Sequence, residues 1–408
     1  MPLRAPSYNP FRVLSHSPNF RLFFAGQTTS LIGTWMQQVA QGWLALQLSN
    51  DAFLVGVVAA AGSLPILVLS LPGGLVADRF HRLRVVTIAQ ALMLVEAALL
   101  WWFTWSGHMT IGWLIAIALL GGIIAAFEIP ARQSLFVELV GKDHVMDAIA
   151  LNSSGFNFAR IAGPSLAAIV IAKFGMSWCF GINALSYLAV LASLALIRLP
   201  KLPVAAPSRP LHALGEAFAH VRRHRLTWVL MRVVAVYSLL GIPVLTLLPV
   251  LARDVLGLGA GGYGALMTCV GAGAMLGALS IASAGARLER HRALGVTSLA
   301  FPALLVLVSL SRSEVLTGVL LFCVGACMVV NNAVINALLQ AASPDALRGR
   351  VISIYVAVYI GTNPIGSFIS GAIARWWGSA WAIGGMAALM GVYAIWAFRR
   401  YPEMRRAS

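Results

Sequence analysis

The chain has 408 residues, is 60% hydrophobic and only 10% charged, and carries a formal net charge of +16 at a mean hydropathy of +0.85. Soluble domains carry roughly 25% charged residues, so this composition excludes a soluble enzyme or nucleic-acid-binding domain and points to an integral membrane protein. The positive balance is assigned to cytoplasmic loops rich in Lys and Arg.

Long apolar runs predict an all-α integral membrane fold of twelve transmembrane helices in two six-helix halves. They lie at 21–48, 53–78, 85–106, 110–137, 145–173, 177–198, 226–253, 261–285, 293–311, 315–341, 348–374 and 379–398. The first run begins near Leu22, exceeds a signal-peptide core and lacks a small-residue cleavage site, so it is expected to stay as an uncleaved span. With the N-terminus inside, twenty-three Lys and Arg fall in cytoplasmic segments, four fall outside, and Arg160 and Arg232 sit within spans. That asymmetry puts both termini in the cytoplasm.

The longest break, 199–225, divides the chain into an N-terminal half (1–198), a cytoplasmic linker and a C-terminal half (226–408). The linker opens extended and closes on "LHALGEAFAHVRRHR", whose apolar residues share one face, as in an interfacial amphipathic helix. An offset of about 203 residues brings Gly74 onto Gly277 and Gly163 onto Gly366, the mark of a weak internal repeat.

Polar groups facing lipid are penalised, so polar stripes on spans must face a cavity or another helix. The first span places Gln27, Ser30, Thr34, Gln37, Gln38 and Gln41 within an arc of about 100°. The fifth span places Asn152, Ser153, Asn157, Arg160, Gly163 and Pro164 within an arc of roughly 140°. Asn332, Asn336 and Gln340 follow i, i+4 spacing on the tenth span, and Tyr355, Tyr359, Thr362 and Asn363 share a face of the eleventh. These stripes fit a cavity for a polar or amphipathic solute, and interhelical glue is the alternative for each. Two roles stand open for Arg160: anchoring an anionic or polar substrate group, or pairing with Glu96 or Glu128.

Of the thirteen acids, Glu96 and Glu128 lie well within spans. They are the candidates for proton coupling, since burial favours a protonatable carboxyl; a neutral or paired structural carboxyl is the alternative. The four cysteines read as small apolar residues. "GLGAGG" (257–262) lies in an external loop without the strand-turn-helix context a dinucleotide site needs. No nucleotide-binding loop, metal-ligand set or nucleophile-base constellation is present in the sequence. Neither an enzyme nor a resident cofactor or metal is expected.

"GGLVADRFHRLR" (73–84) resembles the cytoplasmic loop between helices 2 and 3 of the major facilitator superfamily. Gly74, Asp78, Arg79 and Arg82 hold matching positions, while His81 replaces the second glycine of that motif. "ARIAGPSLAA" (159–168) is similar to the Gly-Pro signature of antiporter branches, with Gly163 and Pro164 matching. The whole layout resembles the branch of enterobactin exporters and macrolide-efflux proteins. The resemblance implies a cytoplasmic gate at Asp78, Arg79 and Arg82 and exchange without leak. It implies a monomeric secondary exporter of a siderophore, macrolide or drug-like solute in the bacterial inner membrane, working by alternating access with proton antiport. An inward lysolipid or metabolite carrier is the alternative, and a transport-inactive receptor a more distant one. Nucleic acid is not an expected partner; solute, protons and the lipid bilayer are.

Overall fold

The computed structural model describes residues 12–141, 144–197, 210–285 and 289–404. The part of the linker expected to be extended, 199–209, lies outside the described residues. The helices are α1 (Arg12–His16), α2 (Pro18–Ser49), α3 (Ala52–Arg79), α4 (Arg82–Trp105), α5 (Ile111–Val140), α6 (Val145–Phe174) and α7 (Ser177–Leu196). They continue as α8 (Pro210–Arg223), α9 (Arg225–Leu240), α10 (Val244–Asp254), α11 (Ala260–Ala284), α12 (Arg290–Leu310), α13 (Glu314–Ala341) and α14 (Asp345–Arg400). Among the described residues there is no strand, as expected where lipid cannot satisfy an open backbone.

Local signals set the helix ends. Ser17 starts α2 by accepting from the Phe20 amide at 3.1 Å, and Asp51 starts α3 by accepting from the Phe53 amide at 2.9 Å. The expected span 226–253 is instead two helices. Pro243 has no amide hydrogen to donate, and the chain turns through Gly241–Pro243 between α9 and α10. The expected spans 348–374 and 379–398 share the long run α14, which leaves helical geometry at Gly378 (φ 83°, ψ 159°). Among the described residues, ten helical segments are long and apolar enough to cross a membrane. The polar stripe of α2, itself 32 residues long, keeps it out of that set.

The first set of helices packs α2 on α6 and α7, α3 on α5, and α4 on α5 and α7. The second set packs α9 on α14, α11 on α13, and α12 on α13 and α14. The two most extensive pairs that join the sets are α3 with α14 and α6 with α11. The 203-residue offset relates α3 to α11 and α6 to α14, so each joining pair is the image of the other. Small residues permit both approaches. A Cβ on Gly56 would meet the Ser367 carbonyl at 2.5 Å, and one on Gly271 would meet the Arg160 carbonyl at 2.5 Å.

Candidate functional site

The polar stripe of α2 opens on a cavity of about 450 Å³ between the two sets. Thr34, Gln37, Gln38, Gln41 and Glu96 line it from the first set and Asn363 from the second. Glu96 sits on α4 at 4% exposure. The Gln37 side-chain nitrogen donates to both its oxygens, at 3.0 and 3.1 Å. Gln37 in turn accepts from Asn183 Nδ2 at 2.7 Å, and Asn183 Oδ1 accepts from Ser186 Oγ at 3.1 Å. Glu96 thus ends a wire of amides and hydroxyls, with no cation in hydrogen-bond reach among the described residues. Gly121 leaves it room, since a Cβ there would lie 3.3 Å from Glu96 Oε1.

Glu128 has a different setting. It is buried but ion-paired with Arg132 one turn on at 2.7 Å, and Gln90 donates to the same oxygen at 3.2 Å. The intervening Pro130 does not prevent the pairing.

A second cavity, of about 380 Å³, is lined by Arg160 with Asn332, Asn336, Tyr355 and Tyr359. The two tyrosine rings stack 6.3 Å apart at 14°. Arg160 pairs with neither Glu96 nor Glu128. Its guanidinium lies 5.7 Å from the ring centre of Trp35, close enough for a cation–π contact. Trp35 also lines the first cavity, so the two adjoin through one side chain. A sequence reading by polarity passes over Trp35, whose ring is largely apolar, and over Asn183 and Tyr187, which stand on a span without a polar stripe.

Other expected cavity residues lie elsewhere. Gln27 is buried and lines neither cavity. Asn152 and Asn157 are half-buried outside both, Asn157 donating to the Ser153 carbonyl at 2.9 Å. Gly163 brings α6 against α2, where a Cβ would sit 2.9 Å from the Ile32 carbonyl. Pro164 follows within α6, next to Gly264 of α11.

In the loop motif, Arg82 of α4 pairs with Glu138 of α5 at 2.5 Å, and Arg79 is exposed. Asp78 lies on the last turn of α3, and its side chain lies outside the described residues. Gly74 stands in open space, whereas Gly73 packs against the backbone of Ala126 and Phe127. Gly73→Ala is therefore expected to lower stability by about 1–3 kcal/mol, the usual cost of overpacking. Gly74→Ala should leave the midpoint of thermal unfolding nearly unchanged, which a melting comparison of the two purified variants checks.

Two sets of membrane-crossing helices around a polar cavity are the architecture of a transporter. The same fold is found in a bacterial homologue of the human lysosomal transporter Spinster in an inward-facing, unoccupied conformation. It aligns at TM-score 0.76 and 13% identity over 95% of this chain and 98% of that one. Residues 5–408 match the family described as transmembrane secretion effector, and the chain belongs to this family of the major facilitator superfamily. The enterobactin exporter EntS of Shigella flexneri is 25% identical over 365 residues, 88% of this chain and 86% of the relative. The staphyloferrin A transporter of Staphylococcus aureus is 30% identical over 173 residues, 42% of this chain and 44% of the relative. The protein is thus a multi-pass membrane transporter.

Proposed function

We propose that this chain exports a small amphipathic organic solute across the bacterial inner membrane by alternating access, in exchange for protons carried by Glu96. The observation that carries the reading is a buried carboxyl with only amide partners, opening on a polar cavity between two helix sets. Charge exchange with an ion-paired Glu128 would first require breaking its bond to Arg132, so Glu96 is the better carrier. The reciprocal packing supports a division into residues 1–198, 199–225 and 226–408, and a division of α14 at Gly378 with a spanning α2 would make twelve crossings.

The contacts between the sets support a state open to the cytoplasm. Asp51 and Arg375 approach at 3.6 Å, Phe53 and Phe368 meet at 5.1 Å, and Trp43 and Tyr263 stack at 6.0 Å. All of these lie at the end that the Lys and Arg asymmetry assigns to the outside. Toward the other end, a groove of about 300 Å³ separates α3 and α5 from α14. A solute would enter there and leave after the outer contacts part. Export rather than import follows the named activity of the full-length relative.

The test uses inverted membrane vesicles with an acid interior and a panel of siderophores, macrolides and drug-like compounds. Uptake of a compound that also discharges the pH gradient is expected. Accumulation that ignores a protonophore would overturn proton antiport, and accumulation in right-side-out vesicles alone would overturn export.

A further inference from the structure

Arg160 is a full charge at mid-span, and its known contacts do not neutralise it. The ring of Trp35 offers a partial charge, and the groups across the cavity are amides and phenols. Among the described residues, the acids on its own helix and on α4 and α5 are engaged elsewhere: Asp147 by His144, Glu96 by Gln37, Glu128 by Arg132 and Glu138 by Arg82. A cation at this depth calls for a counter-charge.

Four features make the place a built pocket. The backbone of Arg160 is fixed by Gly271, which α11 presses against its carbonyl. Trp35 lies against the guanidinium, 5.7 Å from its centre to the ring centroid, and Arg160 also lines the cavity, where its planar fork can offer parallel N–H donors. Opposite, the Tyr355 hydroxyl is tied to the Asn332 carbonyl at 3.3 Å, which holds the stacked tyrosines in place. Gln340 donates to Asn336 Oδ1 at 2.5 Å, leaving the Asn336 nitrogen as a further donor.

We propose that this second cavity is an anion subsite of the transported solute, taking a carboxylate borne on a flat aromatic group. The guanidinium fork receives the two carboxylate oxygens, Asn336 adds a hydrogen bond, and Tyr355 and Tyr359 take the ring. The inference rests on the export reading for its purpose but on this pocket alone for its chemistry. It divides labour within the site: Glu96 handles protons in the first cavity, and Arg160 handles solute charge in the second, with Trp35 between them. Cationic amphiphiles are disfavoured because Arg160 repels them and their positive group finds no acid there.

The experiment measures binding, without any gradient, to the full-length protein in nanodiscs of neutral phosphatidylcholine. The probes are 2-naphthoate, 2-naphthamide and 2-naphthylmethylammonium, alike in ring and different in charge, titrated by calorimetry. Naphthoate is expected to bind about tenfold or more tighter than the amide, the scale of a charge-assisted pair, and the cation weakest. Arg160→Gln should abolish that preference, Arg160→Lys should keep part of it, and Tyr359→Leu should weaken all three probes alike. Equal affinities in the unaltered protein, tighter binding of the cation, or an intact preference in a folded Arg160→Gln variant would each overturn the proposal. Should Arg160→Gln not fold, the charge series on the unaltered protein still decides. Failure of proton-driven export in vesicles would leave a measured anion preference standing, so the two readings fall separately.

Discussion

Replacing Glu96 by Gln is expected to abolish solute exchange driven by a pH gradient while leaving the protein folded. The substitution is nearly isosteric, and the amide carbonyl it introduces can still accept from Gln37 Nε2, which in the unaltered protein holds both carboxylate oxygens. What is lost is the ability to take up and release a proton. The gradient-driven rate should fall by about tenfold or more, as intramembrane ionisable groups that carry protons are not replaceable by neutral ones. Exchange of solute for solute, which needs no net proton movement, should persist. Glu128→Gln provides the comparison. It breaks the pair with Arg132 and leaves that guanidinium partly buried, so it should lower thermal stability more than it lowers coupling. Unchanged pH-driven flux in Glu96→Gln would remove Glu96 from the mechanism.

A methyl group at Gly271 should have an equally large effect by a different route. The Cβ of Gly271→Ala would stand 2.5 Å from the Arg160 carbonyl oxygen and 3.3 Å from the Ile161 Cα. These are backbone atoms of α6 and cannot rotate away, so α11 and α6 must separate. Overpacking of this kind costs about 1–3 kcal/mol. Where a contact belongs to one of two states, that cost shifts their ratio by about fivefold or more. The expected result is a protein biased away from the state described here. It would be read as greater labelling of a cysteine placed at Ser367, under the outer contacts, by a membrane-impermeant reagent. Transport should fall with it, and so should the anion preference if Arg160 moves. Unaltered labelling and flux would show that α6 and α11 do not carry the conformational change.

Much of the site was legible as faces. The arc on α2 holds because an α-helix repeats every 3.6 residues, and lipid forbids a random scatter of Gln and Thr. Four of its members, Thr34, Gln37, Gln38 and Gln41, line one cavity. Gln27 belongs to the same arc yet is buried away from both cavities, because its depth along the bundle decides what it meets, and periodicity carries no depth. The two roles left open for Arg160 show the same limit. Pairing with Glu96 or Glu128 was consistent with every face angle, and only the packing gave those acids Gln37 and Arg132 instead. The break at Gly241–Pro243 was hidden because an apolar run with a proline reads alike whether the helix bends or stops.

The amino-acid sequence by itself determined the solvent of this protein, its all-α class, the loop motif and the polarity of each helix face. These are local properties, set by transfer free energy over some twenty residues and by helical period. Only the tertiary structure decided which faces meet. The Glu96–Gln37–Asn183 chain joins three helices, residues 59 and 146 apart in sequence. The Arg160–Trp35 contact adds α6 to these, and the reciprocal α3–α14 and α6–α11 pairs join the sets. Such contacts depend on where small residues let backbones close to a few ångströms, a steric sum over distant segments that no local pattern contains.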